Sequence, residues 1–394
     1  IKTFATSYHE NFPVLLQKAQ GKNLYVKVIF REYAGNEFAV EIINNSVLIN
    51  QEEKRIKEKL AHFSEIKSNP ENYYRYIDST EGGGLGLILS LKLLEQIGIE
   101  GLPLIIENKD DITIAKIFFE YNKVTPPPYN AVAQEILAQL KELPKFPANI
   151  KSLLIKLLNK NVELSELESD LSKDPTLCAD LLKLVNSSKF MLNRKIASIK
   201  EAINLVGVVG LKNLLYSYGA MQIVNSRFGT IPQIWEHSLE TASLAYKIAK
   251  NKKLYKKEDE AFTAGLLHDI GKIVLMNFDK EKAGKIEQMC TEKGIDFPVM
   301  EEILMGLSHA KIGGEIAKFW DFPQVLVDAI TFHHDPAIAS NNKEIVYTVS
   351  LANYLANTKS IEYLNYYSID PSVRDFFNIN SEQSLIDLAK NLMN

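Results

Sequence analysis

The chain has 394 residues, 46% of them hydrophobic and 24% charged, with a formal net charge of −4. That length exceeds one ordinary domain, and the balance is that of a globular protein with no strongly basic face, which disfavours duplex nucleic acid as the main partner. Two cysteines, Cys178 and Cys290, supply neither a disulfide framework nor a CxxC metal motif, and no apolar run approaches the roughly 20 residues that span a bilayer. The two unpaired cysteines fit a reducing compartment, and a cytoplasmic setting without a membrane partner is expected; the sequence starts at Ile1, so the lack of a visible leader peptide carries little weight.

The first 120 residues mix strand and helix character. "NLYVKVIF" and "EFAVEIINN" are rich in β-branched and aromatic residues and predict strands. "GLILSLKLLEQIG" has apolar residues at helical spacing, and "LPLIIE" with "DITIAKIFFEY" predicts a hairpin around "NKDD". This α/β block is assigned to residues 1–122. Three consecutive prolines in "KVTPPPYN" cannot continue a strand or a helix, which makes 123–130 a stiff linker.

Beyond the linker nearly everything is helical, over 131–360 and an extension over 361–394. Ser165 and Glu168 form a capping-box pattern, and Asp174 before Pro175 reads as an N-cap followed by proline at the first helical position. Leu177, Leu181, Leu182, Leu184 and Val185 supply the apolar stripe of the next helix. Further helices are predicted at "SIKEAINLVG", "GLKNLLYSYGAMQIV", "IWEHSLETASLAYKIAK", "EDEAFTAGLLHDIGKIVL", "HAKIGGEIAKFW", "FPQVLVDAITFHH" and "EIVYTVSLANYLANT". The basic run "KNKKLYKKEDE" reads as a solvated connection between two of them.

Five of the seven histidines lie between 237 and 334: His237, His268, His309, His333 and His334, with Asp269 directly after His268. Burying such groups costs on the order of several kcal/mol unless a hydrogen-bond network or a metal ion compensates. Imidazole nitrogens with one carboxylate suit a borderline divalent metal such as iron, manganese or zinc. Neighbours on a helix point about 100° apart, so His268 and Asp269 reach one centre only at a local irregularity or by bridging two ions. Gly271 would permit close backbone approach there.

The segments "LESDLSKDPTLCADLLKLVNSSKF", "SIKEAINLVGVVGLKNLLYS", "AGLLHDIGKIVL", "LSHAKIGGEIAKFWDFP" and "AITFHHDP", in that order, resemble the HDOD family, a degenerate branch of the HD phosphohydrolase superfamily used as an output module in bacterial signalling. The resemblance spans about 140–360. It implies an all-helical fold and a regulatory role without established catalysis, and it implies metal ligation by His237, His268, Asp269, His309, His333 and His334. Relatives that hydrolyse cyclic di-GMP hold two metals with these positions. Here the aspartate that ends the HD pattern is replaced by Asn353, and the signature after the histidine pair is "HHDPAIASNN", so that hydrolysis is not expected.

"EGGGLGLILSLKLLEQIG" is a glycine-rich turn feeding a helix, a geometry that can present backbone N–H groups to phosphate through Gly82, Gly83, Gly84 and Gly86. With the surrounding strands it resembles the ATP-binding domain of histidine kinases and their GHKL relatives. Asn44, Asn45, Ser46 and Leu48 stand where that family carries an aspartate and glycines, which implies a degenerate domain with weak ATP binding or none and no phosphotransfer.

The fold expected is therefore multidomain: an N-terminal α/β sandwich, GHKL-like, followed by an all-α HD/HDOD domain. The function expected is signal transduction through contacts with other signalling proteins, with a structural or sensing metal and no catalytic residue assigned. The alternative is a metal-dependent phosphohydrolase acting on a nucleotide or phosphoester, in which Lys272 could steady a phosphate. Homo-oligomerisation stays open at this level.

Overall fold

A computed structural model describes residues 24–33, 37–67, 85–96, 99, 104–120, 131–159, 162–186, 195–255, 257–293, 296–358 and 360–393. The chain divides into two compact units, one of residues 1–132 with 285–306 and one of 133–284 with 307–394.

In the first unit, strands β1 (Val26–Tyr33) and β2 (Glu37–Asn44) are followed by helices α1 (Asn50–Lys67) and α2 (Leu85–Gln96), then by the hairpin β3 (Leu104–Lys109) and β4 (Ile112–Glu120). The strands form one antiparallel sheet in the order β1-β2-β4-β3. The expected hairpin is present, and Asp110 takes the left-handed conformation its turn requires, at φ 54°. Leu91 of α2 and Leu104 of β3 are buried together against Leu60, Leu87, Ile106, Ala115 and Ile117, so both helices cover one face of the β3–β4 end. Across the opposite face Glu41 sits between Arg31, at 2.9 Å, and Lys116, at 3.8 Å.

The loop after β2 is closed on itself. Asn45 Oδ1 accepts from Tyr25 N–H (2.8 Å), Asn44 Oδ1 from Ser46 N–H (3.0 Å), and Thr113 Oγ1 donates to the Ser46 carbonyl (2.6 Å). These side chains stitch strands together. Gly82, Gly83 and Gly84 lie outside the described residues, and Gly86 falls in the first turn of α2.

The second unit begins with α3 (Ala131–Lys141), α4 (Ala148–Lys156), α5 (Leu164–Leu171) and α6 (Pro175–Val185). Asp174 caps α6 as its sequence suggests, accepting from Leu177 N–H at 3.0 Å ahead of Pro175. The capping box does not form. Helix α5 starts two residues earlier, with Glu163 at the N-cap position, so Ser165 lies inside the first turn and bonds to the Glu163 side chain instead. The two helices expected at 198–224 are present, joined end to end across a kink at Gly207, whose φ of 67° and ψ of −176° are outside the helical region; together they run as α7 (Ile199–Phe228).

Then come α8 (Pro232–Asn251), α9 (Glu258–Leu267), α10 (Ile270–Phe278) and α11 (Lys280–Lys293). Helix α12 (Phe297–Met305) belongs to the first unit, and α13 (His309–Phe319), α14 (Gln324–Phe332) and α15 (Lys343–Asn357) return to the second. The basic connection before α9 is less solvated than its composition suggests: Lys252 reaches the Phe376 carbonyl and Lys257 the Glu344 carboxylate. The C-terminal helices α16 (Pro371–Phe377) and α17 (Glu382–Met393) pack on α15 and α8 respectively, and Lys247 donates to the Leu392 carbonyl at 2.7 Å. Cations at the carbonyl ends of both helices are favourable for the helix dipole.

Small residues let the central helices approach. A Cβ on Gly265 of α9 would stand 2.9 Å from Ala242 Cα of α8. On Gly271 of α10 it would stand 2.1 Å from the His309 carbonyl oxygen and 2.5 Å from Gly313 N, both in α13. These contacts bring the ends of α9, α10, α13 and α14 to one buried place, with α8 and α15 alongside.

Candidate metal centre

Each expected ligand sits at a helix end or on a buried helix face. His268 is the last residue of α9's turn and Asp269, at φ −97° and ψ 12°, breaks the helix before α10. This is the irregularity that two adjacent ligands require. His333 ends α14 in the same manner, and His309 opens α13. His237 lies on α8, partly exposed, and His334 follows His333.

Two of the imidazoles are oriented by the same device. His268 Nδ1 donates to the Gly265 carbonyl at 2.7 Å, and His333 Nδ1 to the Ile330 carbonyl at 2.8 Å. A carbonyl can only accept, so the proton is on Nδ1, and each neutral ring turns a bare Nε2 lone pair inward. Asp269 Oδ1 faces these atoms, 3.1 Å from His309 Nε2, 3.4 Å from His268 Nε2 and 3.8 Å from His333 Nε2. His309 Nε2 is also 3.4 Å from His333 Nε2 and 3.2 Å from His334 Nε2.

Acceptors therefore outnumber protons. His268 Nε2, His333 Nε2 and Asp269 Oδ1 are all lone-pair atoms; His268 Nε2 is buried with no hydrogen-bond partner, and Asp269 Oδ1 is buried with no well-aligned one, its nearest ring nitrogen being His309 Nε2 at 3.1 Å. Leaving such atoms unmatched costs about 1–3 kcal/mol each, and a hydrogen-bond network would have matched them. A cation matches them. The six side chains form two triads whose ligand atoms lie within 4.8 Å of one another, His237–His268–Asp269 and His309–His333–His334.

The electrostatics favour the ligating forms. Burial pushes His268 down to about 4, and burial together with neighbouring imidazoles holds His333 and His334 well below the usual histidine range. Burial alone would raise the Asp269 carboxyl, but attraction to His268, Lys272 and His309 outweighs it and keeps Asp269 ionised. Neutral imidazoles and a carboxylate anion are the states that bind a divalent metal.

All six expected ligands are thus brought together, and Asn353 is beside them. The asparagine is buried on α15, and its Oδ1 accepts from His237 Nε2 (3.0 Å) and from Asn357 Nδ2 (2.8 Å). Lys272 Nζ lies 3.9 Å from Asp269 Oδ2. The sequence reading missed Asn357 and the two orienting carbonyls. An asparagine one turn after Asn353 was a visible signal; the carbonyls of Gly265 and Ile330 carried none beyond their place three residues before a histidine.

Comparison with known proteins agrees with this geometry. Residues 143–336, which include all six expected ligands, match the model of the HDOD domain. A protein of Treponema pallidum (strain Nichols) is 30% identical over 397 residues, covering all of this chain and 76% of that one. A solved structure from Shewanella amazonensis SB2B, described as a candidate phosphohydrolase, has 26% identity and a TM-score of 0.53, covering 67% of this chain and 93% of that one. Ribonuclease Y of Thermus thermophilus is 34% identical over 156 residues, a stretch that covers 39% of this chain and 21% of the enzyme. Among the described residues no helix is long and apolar enough to cross a membrane. The matched 143–336 segment, with its helix-end histidines and the adjacent His268–Asp269, is an HDOD domain.

Proposed function

We propose that this protein is a bacterial signalling regulator in which the helical unit is the output module and acts on other signalling proteins by direct contact, with a divalent transition metal as a structural or sensing ion in its core. The observation that supports the metal is the pair of buried lone-pair atoms without a well-aligned hydrogen-bond partner, His268 Nε2 and Asp269 Oδ1, among imidazoles already fixed in orientation. His237, His268, Asp269, His309, His333 and His334 would hold the ion. The observation that favours regulation over turnover is Asn353, a neutral amide engaged by His237 where hydrolytic relatives carry a second carboxylate. The reading extends to a cytoplasmic location and to a first unit that is a degenerate GHKL-like module binding ATP weakly or not at all. In that unit the asparagines after β2 serve the sheet rather than a ligand.

A phosphohydrolase is the second reading. It is favoured by the description of the Shewanella amazonensis structure and by the match to ribonuclease Y. A bound divalent ion would supply Lewis acidity toward a phosphoryl oxygen. Lys272, beside Asp269 Oδ2 and partly open to solvent, would bind and orient an anionic substrate. The two readings separate in one experiment. Protein loaded in turn with iron, manganese and zinc is assayed against cyclic dinucleotides, a single-stranded RNA and generic phosphodiesters. The regulatory reading expects a metal-dependent melting shift and no turnover. Turnover lost on Asp269→Ala would establish the enzyme instead.

A further inference from the structure

Resting on the metal reading above, we propose that the centre of this chain is built for one resident ion, held by His309, His333 and His334 with Asp269 Oδ1, while the half formed by His237, His268 and Asn353 is kept shut by hydrogen bonds.

The two halves differ in what their atoms have to offer. On the α13–α14 side the separations from His309 Nε2 are 3.4 Å to His333, 3.2 Å to His334 and 3.1 Å to Asp269 Oδ1. Ligand bonds of about 2.1 Å place neighbouring donor atoms about 3.0–3.4 Å apart, so these contacts already have the edge lengths of a coordination shell. On the other side, Asn353 Oδ1 is an acceptor, so the proton in its 3.0 Å contact belongs to His237 Nε2. Asn357 donates to the same oxygen at 2.8 Å. Both lone pairs of that oxygen are engaged, and His237 Nε2 presents a hydrogen rather than a lone pair. Only His268 Nε2 and Asp269 Oδ2 remain open there, and Lys272 Nζ stands 3.9 Å from the latter.

Charge separates the halves further. Asp269 is the only carboxylate in either triad. Two divalent ions in such centres stand about 3.5–4 Å apart, and a single negative charge between them would leave a net charge of about +3 among buried groups. One ion with one carboxylate leaves about +1 by the same count. An aspartate at 353 would lower the two-ion burden and would also draw a cation into the shut half.

The test uses the full chain, stripped of metal and titrated with Mn²⁺, with bound metal counted by equilibrium dialysis and the ion observed by electron paramagnetic resonance. Wild type is expected to take up one Mn²⁺ per chain, with the signal of an isolated ion. Asn353→Asp is expected to take up two, with the signal broadened by coupling. His334→Ala should raise Kd at least about tenfold more than His237→Ala does. Two ions of similar affinity in wild type would overturn the proposal while leaving the metal reading intact, as would a single ion in Asn353→Asp or a larger loss in His237→Ala. Failure of both wild type and Asn353→Asp to bind any ion would remove the metal reading itself. If His334→Ala does not fold, the stoichiometries of wild type and Asn353→Asp decide.

Discussion

Replacing Gly271 by alanine adds one methyl group, and the structure gives it nowhere to go. The new Cβ would stand 2.1 Å from the His309 carbonyl oxygen and 2.5 Å from Gly313 N. Both obstacles are backbone, so no side chain can rotate away, and α10 must move from α13 by about 1 Å to reach ordinary contact. Overpacking in cores costs about 1–3 kcal/mol, and obstacles of this kind put the change at the upper end. For a unit of this size, about 3 kcal/mol lowers the melting temperature by about 6–12 °C. The same shift separates Asp269 from His309, now 3.1 Å apart, so metal affinity should fall as well. Gly284 on α11 is the internal control. A Cβ there meets nothing within 4 Å, so Gly284→Ala should be neutral or stabilising by up to about 1 kcal/mol. Thermal melts followed by circular dichroism, with and without Mn²⁺, measure both. A Gly271→Ala protein that melts with wild type and binds metal equally would refute the claim that these two helices touch at the glycine.

Metal-free protein should lose stability as pH falls from about 6.5 toward 4. The unfolded chain takes up protons near 6.5 while buried His268 resists until about 4, a loss of about 1.4 kcal/mol per pH unit for this residue, or about 3 kcal/mol in total. His333 and His334 are lowered in the same direction and add to it. Urea unfolding at pH 7, 6 and 5 reads this slope, and a flat profile would mean these rings are not buried neutral. Asp174→Ala should cost about 1 kcal/mol through loss of the α6 cap, seen as a lower urea midpoint with unchanged m-value; no change would show that the cap at Leu177 N–H contributes nothing.

Much of the architecture follows from local rules that the sequence displays. Asp174–Pro175 marks a helix start because an acceptor side chain and a missing N–H solve the same end problem. The histidines and Asp269 stand out because ionisable residues in apolar runs need a compensating partner. What was hidden depends on distant pairs. Ser165 and Glu168 fit a capping box by spacing, but Glu163 took the N-cap position and moved the helix start. Grouping of 285–306 with the first unit crosses a run of helices and has no local mark. Asn353 was visible as a departure from the HD pattern, yet its hydrogen bond to His237 arises only when α8 and α15 meet.

The central claim is that the buried histidine cluster around Asp269 is present to bind metal. Its most direct measurement is the metal content of the full chain purified without chelators, by elemental analysis, beside His268→Ala/Asp269→Ala prepared identically. Close to one equivalent of a transition metal in wild type, lost in the double variant together with its stabilisation of the folded chain, is the expected result. Wild-type protein with no metal, and with no melting shift on addition of iron, manganese or zinc, would contradict it.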